Sequence, residues 1–250
     1  MLGTRLVIKR GSRDDGERPF WISFSDLMTA LMVLFLLVMS VALLSVTKTV
    51  SEKQRLQEER QQDIQQLLSE LQLAAKNFQG VTVHADLSNP AIDFGPLARF
   101  DLGKSQLTGN QAKFLRGYIP SILAVARTEK GKKWFRQVIV EGYTDQSGTY
   151  LRNLDLSLRR SERVVCVLLA RAPVDERPLS EDEIVQVRSL FLVGGYSSNS
   201  AKADAAASRR IELKLKFWER EFGVGEKLLD TKLEAPAASE LGICALGNEG

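Results

Sequence analysis

Histidine occurs once in the 250 residues, at His84, and cysteine only twice, at Cys166 and Cys244. No metal-ligand spacing and no nucleophile with a matching base can be assembled from so few, so the sequence argues against an enzyme and no metal or cofactor is expected. An excess of one charge is also missing. Lys and Arg number 34 against 31 Asp and Glu, a net charge of +3, which is too small to argue for nucleic acid as a direct partner.

Formal charge is absent altogether from Leu27 to Val46, LMTALMVLFLLVMSVALLSV. At about 1.5 Å per residue a helix of this length spans roughly 30 Å, the thickness of the hydrocarbon layer. A signal peptide has a shorter apolar core and ends at a small-residue cleavage site, and nothing like Ala-x-Ala follows here. The run reads as an uncleaved transmembrane helix, taken over 20–46. Arg5, Lys9, Arg10, Arg13 and Arg18 precede it, so the positive-inside bias keeps the N-terminus cytoplasmic and exports everything beyond Val46. An oxidising compartment permits a disulfide, but Cys166, inside the apolar VVCVLLA, reads first as a buried small hydrophobe.

Proline and glycine are missing from Ser51 to Phe78. There Ile64, Leu67, Leu71, Ala74 and Phe78 recur at intervals of three and four, which predicts a helix with one narrow apolar stripe. A stripe this narrow suits pairing with a second copy better than folding into a globule. Residues 47–79 are therefore read as a periplasmic helical linker, and 1–19 as a polar cytoplasmic tail. From Gly80 the period changes. Strands are expected at VTVHADL (81–87), near Ala98 to Leu102, and at QVIVEGYTD (137–145), SLFLVGGY (189–196) and RRIELKLKF (209–217), with helices over Leu107 to Arg127 and Leu151 to Ala170. The expected architecture is a single N-terminal transmembrane helix, a helical linker, and an α+β sandwich of order βαβαββ over 80–218. Residues 219–250 show no sustained period and read as a tail.

Asp26 stands at the cytoplasmic edge of the apolar run, with Ser23, Ser25 and Thr29 close by. An aspartate there costs several kcal/mol unless it is neutralised, paired or hydrated, which makes it a functional candidate. The bland alternative is a helix-capping Asp just outside the hydrocarbon. Trp21 as interfacial anchor, with Ile22 and Phe24 after it, puts the boundary about a turn and a half earlier and favours the buried site. Asp26, Ala30, Val33, Leu37 and Ser40 share one face, with small or polar members suited to packing against partner helices.

Trp21, Asp26 and the following Leu27-Met28-Thr29-Ala30-Leu31-Met32 resemble the transmembrane segment of MotB-type stator subunits. That resemblance implies that Asp26 binds the ion, with Ser25 and Thr29 beside the path, and that a multi-span MotA-like subunit forms a pentamer around a dimer of this chain. A second stretch, EGYTDQSGTYLRNLDLSLRRSERVVCVLL (141–169), resembles the OmpA-like peptidoglycan-binding family, whose signature is Gly-His-Thr-Asp, a Gly-containing loop and Asn-x-x-Leu-Ser-x-x-Arg. Gly142, Thr144, Asp145, Gly148, Asn153, Leu156, Ser157 and Arg160 occupy the matching positions. Looser matches fall at Phe100-Asp101-Leu102 and Arg209-Arg210-Ile211-Glu212. The resemblance implies a peptidoglycan site of Asp145, Asn153, Leu156 and Arg160. Arg160 would clamp a carboxylate of diaminopimelate, Asp145 would accept from its ammonium, and Asn153 would orient the peptide. Tyr143 stands where the family commonly has His, and Ser161 where it has Ala.

Ion path and wall anchor together imply a stator of the inner membrane; the sequence does not distinguish H⁺ from Na⁺ as the driving ion, and H⁺ is preferred because a protonated Asp26 needs no further ligands. The segment Thr47 to Arg60 lacks a clear amphipathic plug, and the wording FWISFSDLMTALMVLFLLVMSV resembles the stator-like subunits of Zorya anti-phage defence systems, whose partner is ZorA. A flagellar motility stator and a passive wall tether are the competing readings.

Overall fold

The computed structural model describes residues 18–170, 172–174 and 176–219. The expected tails, up to residue 17 and from residue 220, and Cys244 lie outside the described residues. The chain divides into two compact units, Met1–Leu56 and Gln57–Gly250.

In the first unit the described chain is the opening stretch of helix α1, Arg18–Ala75. Leucine is the commonest residue of its apolar run, and Leu and Met lose little rotamer freedom in a helix. Its hydroxyls turn back on the helix: Ser40 Oγ donates to the Leu36 carbonyl at 2.7 Å, Thr47 Oγ1 to Leu43 at 2.8 Å and Thr49 Oγ1 to Ser45 at 3.0 Å. These three hydroxyls thus find partners within the helix, as a hydrocarbon environment requires. The helix is long and apolar enough to cross a membrane, and among the described residues none of its apolar window is buried.

The second unit is built on a five-stranded mixed sheet of order β1-β2-β5-β3-β4. Its strands are β1 (Thr82–His84), β2 (Ala91–Asp93), β3 (Phe135–Gly142), β4 (Phe191–Gly195) and β5 (Ile211–Phe217). Only β3 and β4 pair in parallel; the other neighbours are antiparallel. The helices are α2 (Gly109–Arg127), α3 (Glu129–Trp134), α4 (Tyr150–Leu169), α5 (Glu181–Leu190) and the short α6 (Ala205–Ser208). Thr108 and Gln111 form a capping box that starts α2, and Ser180 with Glu183 starts α5 in the same way. The α+β class read from sequence holds, but the element count differs. The 98–102 segment is not a strand: a 3-10 turn covers Gly95–Ala98 and Arg99 makes an isolated bridge to Arg210. The helix α5 takes the first part of the segment expected as a strand from 189.

The apolar stripe assigned to a linker belongs to this unit. Ile64, Leu67, Leu68, Leu71 and Ala75 are buried in the same core as Leu115, Ile119, Val138 and Leu213. Fully burying a leucine contributes about 1.5–3 kcal/mol, and the chain's own domain supplies that burial. The stripe is therefore not a face for a second copy, and the compact unit begins at Gln57 instead of residue 80. Polar contacts lock the same helix down: Trp134 Nε1 donates to Asp63 at 2.9 Å, Lys130 pairs with Asp63 at 2.8 Å, and Arg60 Nε donates to the Trp218 carbonyl at 2.8 Å. Hydrogen bonds from Lys130 and Trp134 hold the Asp63 carboxyl below the usual carboxylate range. Cys166 is disulfide-bonded and only half-buried, which corrects its reading as a buried small hydrophobe.

Two glycines bring α4 against the sheet. Gly142 and Gly195 are register partners on β3 and β4. A Cβ on Gly142 would lie 1.9 Å from the Ser157 carbonyl oxygen, and one on Gly195 2.8 Å from the Leu158 nitrogen. No side chain fits at either point, so α4 rides directly on the backbone of both strands.

Candidate functional site

The loop between β3 and α4 and the first turns of α4 form one side of a pocket of about 190 Å³. Asp145, Asn153, Leu156 and Arg160, the residues singled out in the sequence, all line it. Spacing explains the convergence: Asn153, Leu156 and Arg160 recur at three and four along α4, which puts them on one helix face. Ser157 on the same face donates to the Leu154 carbonyl and accepts from the Ser197 amide, fixing the helix against the loop after β4.

Arg160 does not stand free as a carboxylate clamp. It is 0 % exposed. Its Nε donates to the Lys104 carbonyl at 2.9 Å, Nη1 to Tyr143 at 2.7 Å and Nη2 to Asp101 at 3.2 Å, while its guanidinium lies 4.9 Å from the centre of the Phe100 ring. A guanidinium has five N–H donors, so Arg160 commits three to main-chain oxygens and holds the 101–104 wall in place. Burial, with Arg209 nearby, pulls its pKa down to about 10 despite the opposing charge of Asp145.

The direct partner of Asp145 is Arg209, whose Nη1 donates to Oδ2 at 2.8 Å and whose Nε donates to the Phe100 carbonyl. Asp145 Oδ1 accepts from the Ser147 amide at 3.0 Å. Burial pushes the Asp145 carboxyl up, but Arg209 and Ser147 outweigh it and keep it below the usual carboxylate range. Asn153 Nδ2 donates to the main-chain oxygen of Asp145 at 3.3 Å, so its contact within the chain positions the loop. Sequence reasoning noted Arg209 as part of a last-strand match but gave it no role.

Tyr143 does not line the pocket. Its hydroxyl donates to Glu141 Oε2 at 2.5 Å, and the Arg210 guanidinium lies 4.3 Å from its ring centre. The departure from the family's His therefore leaves the pocket lining untouched. Ser161 is buried and its hydroxyl donates to the Leu158 carbonyl at 2.8 Å.

At the other end of the chain, Asp26 and Ser25 are exposed along the apolar helix. Thr29 Oγ1 donates to the main-chain oxygen of Asp26 at 2.8 Å, which leaves the hydroxyl's own lone pairs open.

The chain thus joins a helix long and apolar enough to cross a membrane to a separate sheet domain that carries a pocket. Residues 8–59 match the family described as membrane MotB of the proton-channel complex MotA/MotB. Over 228 residues, 91% of this chain and 90% of the relative, the sequence is 43% identical to the Zorya protein ZorB of Escherichia coli O139:H28 (strain E24377A / ETEC). A second Zorya protein ZorB, from Escherichia coli strain ATCC 8739, is 26% identical over 84% of this chain and 93% of its own length. The chain belongs to the ZorB family. Among solved structures, the periplasmic domain of Helicobacter pylori MotB overlaps 62% of this chain and 91% of its own, at 14% identity and a TM-score of 0.43.

Proposed function

We propose that this chain is the peptidoglycan-anchored stator subunit of an ion-driven motor in the inner membrane, working in a Zorya anti-phage defence system. The observation that carries the reading is one chain holding both a carboxylate on an apolar helix that is uncovered among the described residues and a pocket with a fixed Asp145–Arg209 pair in a separate compact unit. In this reading the basic N-terminal residues stay in the cytoplasm and the domain from Gln57 lies in the periplasm. One helix cannot enclose an ion path, so multi-span MotA/ZorA-like subunits supply the walls, five of them around two copies of this chain. Protons pass by way of Asp26, with Ser25 and Thr29 beside it. The pocket grips the diaminopimelate of the wall, so the partner ring turns about a fixed axis. No catalytic group is assigned.

The role of Asp145 follows from its chemistry: an ionised carboxylate attracts an ammonium, and the neighbouring arginines attract a carboxylate. The test is sedimentation of the full-length protein, in detergent, with purified sacculi. Wild type should pellet with the sacculi and Asp145→Ala should stay in the supernatant. Wild type remaining in the supernatant would sink the wall-anchor reading.

A further inference from the structure

The pocket is unbalanced in charge. Among its lining residues three arginines, Arg152, Arg160 and Arg209, face one carboxylate, Asp145. Arg209 is paired with Asp145 and Arg160 is tied to main-chain oxygens. Arg152 differs from both: it is exposed, lines the mouth, and has no hydrogen bond or ion pair among the described residues. Its place on α4 is unfavourable for a cation. It lies in the first turn, where the helix dipole is already positive, no acidic residue in that turn balances it, and the Thr149 side chain makes no capping hydrogen bond. A negative charge brought to the mouth would relieve all of this at once.

A second observation within the same pocket points to a ligand. Thr144 is 1% exposed, lines the pocket, and its Oγ1 has no hydrogen-bond partner. A buried hydroxyl without a partner costs about 1–3 kcal/mol, a cost that a bound polar group would remove. Size then decides how the ligand divides. At roughly 30 Å³ per water, 190 Å³ holds about six waters, enough for one amino-acid end group and too little for a stem peptide. The remainder of the peptide must lie across the mouth, beside Arg152.

We propose that Arg152 makes this pocket selective for peptidoglycan stem peptides carrying a second free carboxylate, outside the end group held between Thr144, Asp145 and Arg209. This rests on the wall-anchor reading and adds to it a specificity-determining residue. Two carboxylates of a stem peptide could fill the role, one on diaminopimelate and one on the adjoining D-glutamate, and amidation removes either.

The experiment titrates full-length protein in detergent with three muropeptides: the free acid, the form amidated on diaminopimelate, and the form amidated on D-glutamate. Wild type should bind the free acid about three- to tenfold more tightly than one of the amidated forms, a range between an exposed ion pair and a charge-assisted hydrogen bond. Which amidated form is weakened identifies the carboxylate. Arg152→Gln should lose the same factor on the free acid and no longer discriminate, while its melting temperature stays equal or rises, because the cation sits at the wrong end of the helix dipole. Equal binding of all three forms by wild type, or discrimination retained by Arg152→Gln, overturns the proposal and leaves the anchor reading intact. Failure of every muropeptide to bind overturns both.

Discussion

Asp26 and Asp145 are both acidic residues on which the chain's activity is read, and the molecule treats them in opposite ways. Asp145 is furnished by its own chain: Arg209, Ser147 and Asn153 hold its side chain and its main chain, and it is 5% exposed. Asp26 has none of this. The helix around it is unburied among the described residues, and the Thr29 hydroxyl bonds its main-chain oxygen and not its carboxylate. In the proposed reading a wall site is complete in one chain to hold a ligand from outside, whereas a membrane site for a moving ion is completed by the subunit that moves. The difference predicts that changes at Asp26 act on function without touching the fold, and changes at the residues that hold Asp145 or the pocket wall act through the fold as well.

Asp26→Asn should have the largest functional effect. It keeps shape and hydrogen-bonding capacity while removing the titratable proton. Phage protection should vanish, while co-purification with the multi-span partner and pelleting with sacculi remain at wild-type levels. Undiminished protection would leave Asp26 as a helix cap and reduce the chain to a tether.

On the other side of the comparison, Gly142→Ala should cost the most stability. Its Cβ would meet the Ser157 carbonyl oxygen at 1.9 Å, and backbone on both sides cannot give way without lifting α4 from the sheet. A loss of about 3–5 kcal/mol in chemical denaturation is expected. A smaller loss would show that α4 can shift without penalty. Arg160→Lys follows at about 2–4 kcal/mol, since a lysine keeps the charge but cannot reach the Lys104, Tyr143 and Asp101 carbonyls together. Muropeptide affinity should fall with it because the 101–104 wall loosens. Unchanged stability with lost binding would restore Arg160 as a direct ligand.

The pH dependence sharpens the contrast further. Asp145 has a folded pKa below its ordinary value of 3.8, so it binds fewer protons folded than unfolded. Its contribution is complete above the unfolded value and lost as pH falls through the lower folded one. Asp145→Asn should therefore be less stable than wild type at pH 7, on the order of 1–3 kcal/mol, with the gap closing below about pH 3.8. A gap independent of pH would mean that the Arg209 pair does not hold Asp145 ionised.

Local pattern carried much of this into the sequence. Helix α4 and the strand before it followed from period and composition, and Asn153, Leu156 and Arg160 lie together because helical spacing fixes them on one face. What escaped the sequence depends on contacts between distant segments. The stripe of Ile64, Leu67 and Leu71 has the same spacing whether it meets a second helix or the chain's own sheet, and only the fold chooses between them. Arg209 and Arg160 are both arginines near a motif, but which one pairs with Asp145 is set by how β5 and α4 meet. The 81–87 strand shrank to three residues because β1 pairs only with the equally short β2.

The smallest effect is expected at Tyr143, which sits beside Asp145 in sequence and apart from it in the fold. Its main-chain oxygen supports Arg160, but its side chain joins a separate cluster in which Glu141, Arg210 and Glu212 are nearly buried. In that cluster Asp93, Glu212 and Glu141 are register neighbours across β2, β5 and β3. Like charges so placed repel, and Arg210, Lys202 and Lys214 offset them. Tyr143→Phe removes the bond to Glu141 but keeps the ring under Arg210 and the main-chain oxygen under Arg160. The expected loss is about 1 kcal/mol of stability, with muropeptide affinity changed less than about twofold. A tenfold loss of affinity without a matching loss of stability would mean that the ligand reaches past the pocket to the Tyr143 side chain, and that the wall site is larger than the residues around Asp145.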